Sequence, residues 1–592
     1  MKQFLTTMAG VFAGLLLFMV GVPFLLIVMA AGAARPAPPP NQIVLQLDLR
    51  ESLTDQNLQN PLGGFGRRNL SVMAIVEALG AASEDRRVKG LLIRLPEVGM
   101  EPGAADEIRL AIKRFEASGK PVIAHSQGLY QAGVVSSTYM VGAAAGELWM
   151  QPGAALQVTG LAVEDVFFKR FFDEYRLEAD YQQRKEFKNA VNGYLHSDYT
   201  PAHRAAQLSW MTSIYESALD QAAQDRELAP ALLRTRLEAG PYSADQAAEL
   251  GLVDKVGQVH EAEARLLDEA GANAELFDLM AYARSLRGGD AGGGPAIAVI
   301  EAEGPLLTGA NGVANPLAPS AMVLSDDLAA ALIEAAEADN IRAVVLRVNS
   351  PGGSNTASEQ ILDGVRRVKA AGKPIVVSMG AYGASGGYWI ASEANEIVAQ
   401  PTTLTGSIGV YGGKLALGPA LAEFGVDMRQ LQVGGDFAGA YRLGEGFTPA
   451  QTAAVARMMD QTYADFLTRV SRGRNLPVER VEEIARGRVW TGRQAKELGL
   501  VDHLGGFPLA VDRARALAGL DESARLRRMT PQATPLQALE RMLGVGALSL
   551  RTLAAAAWVM GDPRAEALLE GAVQERLRTQ GAGMVLAPTP VR

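Results

Sequence analysis

The sequence predicts an α/β protein made by tandem duplication, preceded by one membrane-spanning segment, and three observations carry that prediction. Short β-branched runs alternate with helical patterns, stretches of the first half recur in the second at a spacing near 250, and residues 3–34 contain no charge. Alternating strand and helix implies a largely parallel sheet with helices laid on its faces.

The N-terminal element is the apolar run from Gln3 to Ala34, preceded by Lys2 and closed by Arg35 and the stretch PAPPP. It exceeds the roughly 7–15 apolar residues of a secretory signal and suffices to cross a bilayer. Residues 1–35 are therefore expected to be a transmembrane anchor, with a signal cleaved at the small residues AAGAA as the alternative. Lys2 and the start amine favour a cytoplasmic N-terminus, which puts the body outside the inner membrane.

Next comes the duplication. KGLLIRL from Lys89 matches RAVVLRV from Arg342, and GKPVIA from Gly119 matches GKPIVV from Gly372, both 253 residues apart. YMVGAAAGELWMQP from Tyr139 matches YWIASEANEIVAQP from Tyr388, and AAELGLVD from Ala247 matches AKELGLVD from Ala495. Four ordered matches define repeats over 36–287 and 296–530, joined by the glycine-rich RGGDAGGGPA from Arg287. Inside each repeat a helical stripe is readable: Ile108, Ile112 and Phe115 in the first, Ile361, Val365 and Val368 in the second. Residues 531–592 match nothing in the first half; TLAAAAWVMG from Thr552 would be a buried helix or a docking surface, without chemistry.

Composition excludes several classes. A net charge of −9 without a basic stripe argues against nucleic acid as a partner. With no cysteine, thiol nucleophiles, thiolate zinc sites and disulfides are all excluded. The five histidines, His125, His196, His203, His260 and His503, have no ligand spacing, so neither a metal nor another cofactor is expected.

Chemistry concentrates in the second repeat. NSPGGS (Asn349 to Ser354) and AYGASGGYW (Ala381 to Trp389) each follow a strand. Glycines at strand exits expose backbone N–H groups, which makes Gly353 and Gly386 candidate oxyanion donors. Ser385 is the candidate nucleophile, at the start of a helix expected near Tyr388; the competing reading makes it an ordinary helix cap. The aligned Ser136, Ser137 and Thr138 lack the two following glycines, so the fold alone does not demand them.

Neither glycine motif contains a histidine, and a buried, neutral lysine is the next choice of base. Lys188 in RKEFKNAVNGY is the candidate, with Lys185 as competitor among the charged Arg184 and Glu186. Matching Phe187 to Phe437 sets Ala438 opposite Lys188, so each repeat holds what the other lacks. A composite site between the repeats would leave that reciprocal pattern. Ser407 in TLTGSIGV either orients the lysine or is an ordinary turn hydroxyl.

ASGGYW, PTTLTGSIGV, NSPGGS, ELGLVD and FKNA, together with the N-terminal anchor, resemble the signal peptide peptidase A family, also called protease IV, over residues 40 to 530. The resemblance implies a ClpP/crotonase-like fold in each repeat and a homotetramer on the periplasmic face of the bacterial inner membrane. It also implies degradation of cleaved signal peptides and other apolar peptides, with Ser385 as nucleophile and Lys188 as general base. One departure is that the segment before Lys188 reads Lys185, Glu186, Phe187, where the family has a glycine and a tyrosine.

Three rivals remain at this level. An α/β-hydrolase would use Gly383, Ser385 and Gly387 as GxSxG, but the strand PIVVSM is expected to end about six residues before the serine, and a partner such as His503 is needed. A crotonase-like enzyme would hold an acyl-CoA thioester on the same glycines. A membrane scaffold would have no chemistry at all.

Overall fold

In the computed structural model the described residues are 39–56, 70–286, 294–310, 321–522 and 524–529, with the backbone of Met584–Leu586. The 3–34 segment, most of the glycine-rich joint and the remainder of 531–592 lie outside them. Among the described residues no helix is long and apolar enough to cross a membrane.

Each half builds one sheet around six parallel strands in the same order, and the sheet of the second half adds Leu404–Gly406 and, antiparallel to it, Val489–Thr491. In the first half the order across the sheet is Lys255–Val256, Glu147–Met150, Val122–Ser126, Val88–Arg94, Ile43–Asp48, Glu275–Asp278. The second runs His503–Leu504, Glu396–Ala399, Ile375–Ala384, Ile341–Ser350, Ala296–Glu303, Arg525–Arg528. Even the irregularities recur: the register slips between Ile43 and Val44 in one half and between Ala296 and Ile297 in the other. Local polar contacts are duplicated too. Lys120 Nζ donates to the Ala82 and Asp85 carbonyls, and Lys373 Nζ donates to those of Ala338 and Ala335.

The strands are buried on both faces, which explains their near-continuous apolar sequence. Val344, Val345 and Leu346 are wholly buried. Against the sheets lie the helices Pro102–Glu116 and Asn355–Ala370, whose inward stripes Ile108, Ile112, Phe115 and Ile361, Val365, Val368 are also 0% exposed.

Two differences between the halves shape the site. Val122–Ser126 has five residues, whereas Ile375–Ala384 has ten, because Tyr382, Gly383 and Ala384 find ladder partners in Leu404–Gly406. The expectation that this strand stops about six residues before Ser385 is thus corrected: the serine follows it directly. The helix after it begins at Gly386 rather than near Tyr388. In the first half the aligned Ser136 instead lies inside the helix Val135–Ala143.

The halves are locked by buried charge. Arg347 donates to Asp55 at 2.6 and 2.9 Å, to Glu107 at 3.1 Å and to the Ser378 hydroxyl at 2.9 Å. Its neighbour Glu303 accepts from the backbone N–H groups of Asp55 and Gln56. Burial, with the Asp55 charge beside it, pushes Glu303 up to about 7.

Candidate active site

Ser385 stands where the long strand turns into the helix Gly386–Ala391, with φ 57° and ψ −118°. Its N–H donates to the Gly406 carbonyl at 2.8 Å, tying it to the neighbouring strand. The side chain makes no cap bond to the helix, so the cap reading of this hydroxyl lacks its defining contact. The hydroxyl faces Lys188 instead.

Lys188 arrives from the first half by a ladder between the halves. Glu178–Arg184 pairs antiparallel with Val410–Ala416 of the second half, from Val410 opposite Arg184 to Ala416 opposite Glu178. Four residues beyond that ladder, Nζ of Lys188 lies 2.8 Å from Ser385 Oγ, 2.9 Å from the Ser407 carbonyl oxygen and 3.0 Å from Ser407 Oγ. All three residues are 0% exposed. Lys185 is elsewhere, half-exposed and paired with Glu482 at 2.8 Å. Ala438, set opposite Lys188 by the alignment, lies in an exposed stretch of the second half.

Valence decides what this cluster can do. A neutral amine has two hydrogens and one lone pair. The Ser407 carbonyl can only accept, so it takes one hydrogen; with Ser407 Oγ accepting the other, the lone pair is free to face the Ser385 hydroxyl. Burial with no neighbouring carboxylate holds Lys188 well below the ordinary lysine value, which favours that neutral form. The arrangement can therefore remove a proton from Ser385 Oγ.

Backbone amides complete it. A Cβ added at Gly386 would stand 3.0 Å from the Gly353 nitrogen and 2.7 Å from Ser358 Oγ, so the two candidate donors lie side by side with no room for a side chain. Gly353 has φ 159°, and a Cβ there would strike the Leu306 carbonyl oxygen at 2.1 Å. The edge strand Gly352–Ser354 carries Met584–Leu586 antiparallel, with Gly353 opposite Val585. An extended backbone thus already lies along the glycine edge.

Sequence reasoning missed a support beneath Ser407. Asp106 of the first half accepts from Thr402 Oγ1 at 2.7 Å and from the Thr402 N–H at 3.1 Å, and adjacent Glu107 accepts from Gln400 and the Phe507 N–H. Both acids are buried, at 0% and 1% exposed, and they fix the turn that feeds Leu404–Gly406. His503 pairs with Glu396 at 3.2 Å and so does not serve Ser385.

Peptidase family S49 matches this chain over residues 114–273 and 367–521, one stretch containing Lys188 and the other Ser385 and Ser407. This chain belongs to peptidase family S49. Protease 4 of Salmonella typhi is 32% identical over 508 residues, covering 81% of this chain and 79% of that protein. Protease 4 of Haemophilus influenzae is 29% identical over 496 residues, covering 79% and 76%. The chloroplastic serine protease SPPA of Arabidopsis thaliana is 26% identical over 524 residues, covering 86% and 75%. This S49 member is accordingly a serine peptidase that acts on peptides, and the signal peptide peptidase A resemblance is borne out at the level of family.

Proposed function

We propose that Ser385 and Lys188 are the catalytic dyad of a membrane-anchored endopeptidase that degrades cleaved signal peptides and other apolar peptides. The observation that carries this is the 2.8 Å contact between a fully buried lysine of one half and the serine of the other. Ser385 Oγ attacks the scissile carbonyl carbon while neutral Lys188 takes its proton, and the N–H groups of Gly353 and Gly386 hold the oxyanion. Ser407 orients the amine through two acceptors. Lys188 then passes the proton to the leaving amine, and water releases the acyl-enzyme by the same route.

Each half, 36–287 and 296–530, is read as one ClpP/crotonase-like domain, in keeping with the shared strand order. Residues 1–35 are read as the anchor, with the body on the periplasmic side of the bacterial inner membrane, and 531–592 as an extension. A homotetramer is supported by unmatched edges. Glu178–Arg184 pairs with Val410–Ala416, yet their counterparts 427–433 and 161–167, displaced by 249, form no ladder among the described residues. Leu431 and Val433 on the first of these are fully exposed, at 101% and 97%. Repeating the same ladder between chains would give a head-to-tail contact, the kind that forms a ring when the rotation between neighbours closes.

The test is to incubate the solubilised full chain with a purified signal peptide and, separately, with a fluorophosphonate. Peptide turnover together with a phosphonyl adduct mapped to Ser385 supports the reading. An adduct elsewhere, or hydrolysis of acyl-CoA thioesters in preference to peptides, defeats it. For the ring, Leu431→Glu with Val433→Glu should reduce the mass in solution from four chains.

A further inference from the structure

The segment Lys185–Lys188 contains no glycine, yet the Lys188 backbone is packed against other backbone more closely than a side chain permits. The space comes from the turn Arg486–Gly487–Arg488 of the second half. A Cβ added at Gly487 would lie 2.6 Å from both the nitrogen and the Cβ of Lys188 and 2.8 Å from its Cα. Nothing there is the yielding end of a flexible side chain.

The same turn grips both partners of the amine. The Phe187 N–H donates to the Arg486 carbonyl at 3.2 Å, on the Lys188 side. The Ser407 N–H donates to the Arg488 carbonyl, and the Gly487 N–H to the Ile408 carbonyl, both at 2.8 Å. Side chains reinforce this clasp. The Arg488 guanidinium lies over the Phe187 ring at 5.1 Å and the Trp490 ring at 4.2 Å, and Arg486 pairs with Glu186 at 2.8 Å. Three consecutive residues thus hold Lys188 and Ser407 to a common reference although the two come from different halves.

We propose that Gly487 is a positioning residue for the Ser/Lys reaction: by lacking a side chain it lets the 486–488 turn set the separation of Lys188 from Ser407 and Ser385. The inference rests on the reading of Lys188 as the base. Any Cβ at 487 pushes the lysine backbone away from the turn that holds Ser407, and the amine, anchored through that backbone, leaves the place from which it reaches the serine hydroxyl. A shift approaching 1 Å costs on the order of 100-fold in rate.

Backbone strain is the competing explanation, since Gly487 has φ 81°. Asparagine separates the two, because it tolerates the left-handed region far better than alanine while carrying the same Cβ. The experiment compares Gly487→Ala, Gly487→Asn and Lys188→Ala in the full chain, reading kcat and KM on a leucine-rich peptide and the pH dependence of Ser385 phosphonylation per folded molecule. Positioning predicts that both Gly487 variants lose about 100-fold in kcat, with KM within about twofold of wild type, and that their acid limb moves to higher pH as the displaced amine regains water. A wild-type kcat and unshifted limb in Gly487→Asn would overturn the proposal, whatever alanine does. If Lys188→Ala itself retained activity, the dyad reading would fall instead, so the two failures are distinguishable.

Discussion

Replacing Ser407 by alanine removes one of the two acceptors that aim the lysine lone pair, and its effect can be worked out from the contacts. Alanine keeps the Cβ that serine already carries at φ 49°, so the turn is not newly strained. The 3.0 Å contact from Lys188 Nζ to Ser407 Oγ disappears, while the 2.9 Å contact to the Ser407 carbonyl oxygen survives. Loss of one such hydrogen bond is worth about 0.5–1.5 kcal/mol. At about 1.36 kcal/mol per tenfold, kcat should fall roughly 2- to 13-fold. Loss of the base itself should cost roughly 100- to 10,000-fold. Steady-state hydrolysis of a fluorogenic leucine-rich peptide at saturation separates the two ranges. A Ser407→Ala enzyme as inactive as Lys188→Ala would refute the division of labour and place the Ser407 hydroxyl in the proton path. An unchanged kcat would return it to an ordinary turn hydroxyl.

Four further outcomes are expected. Because burial depresses Lys188 below 10.5, kcat/KM should rise as pH climbs through the depressed value and be complete well below 10.5; a limb centred near the ordinary lysine value would contradict this. The unfolded chain binds the extra proton between those two values, so Lys188 makes stability rise with pH across that window, and the slope should fall by that one proton's contribution in Lys188→Met, as read by urea titrations at several pH values. Gly386→Ala places a methyl 3.0 Å from the Gly353 nitrogen and should lower kcat by roughly 100- to 1,000-fold at an unchanged KM. Arg347→Met strands the buried Asp55 and Glu107 carboxylates and should cost about 3–5 kcal/mol in denaturant unfolding; unaltered stability would show that the inter-half charge cluster does not hold the halves together.

Much of the architecture was readable because parallel strands buried on both faces must be β-branched and apolar, and such runs align between repeats. RAVVLRV and KGLLIRL indeed occupy equivalent central strands. The reciprocal occurrence of Ser385 and Lys188 was legible for a related reason: comparison of the repeats separates what the fold needs from what chemistry needs. The extent of the strand before Ser385 was not legible. Tyr382, Gly383 and Ala384 read locally as loop, and they join the strand where Leu404–Gly406 supplies distant ladder partners. The ladder of Glu178–Arg184 on Val410–Ala416 was hidden likewise, since its first strand, EADYQQR, has few apolar residues and its pairing is long-range. Asp106 and Glu107 were missed because acids on a helix are ordinarily solvated, whereas here Thr402, Gln400 and Arg347 satisfy them inside an interface. The clasp at Gly487 was hidden for the same reason: only the folded chain brings that turn against Lys188.

In the proposed reaction one serine and one lysine, from opposite halves of a single chain, perform the chemistry. Its most direct test is hydrolysis of a purified signal peptide by wild type, Ser385→Ala, Lys188→Ala and Lys185→Ala, each shown to be folded. Turnover should be lost in the first two variants and kept in the third. Turnover retained by Ser385→Ala, or by Lys188→Ala, would contradict it.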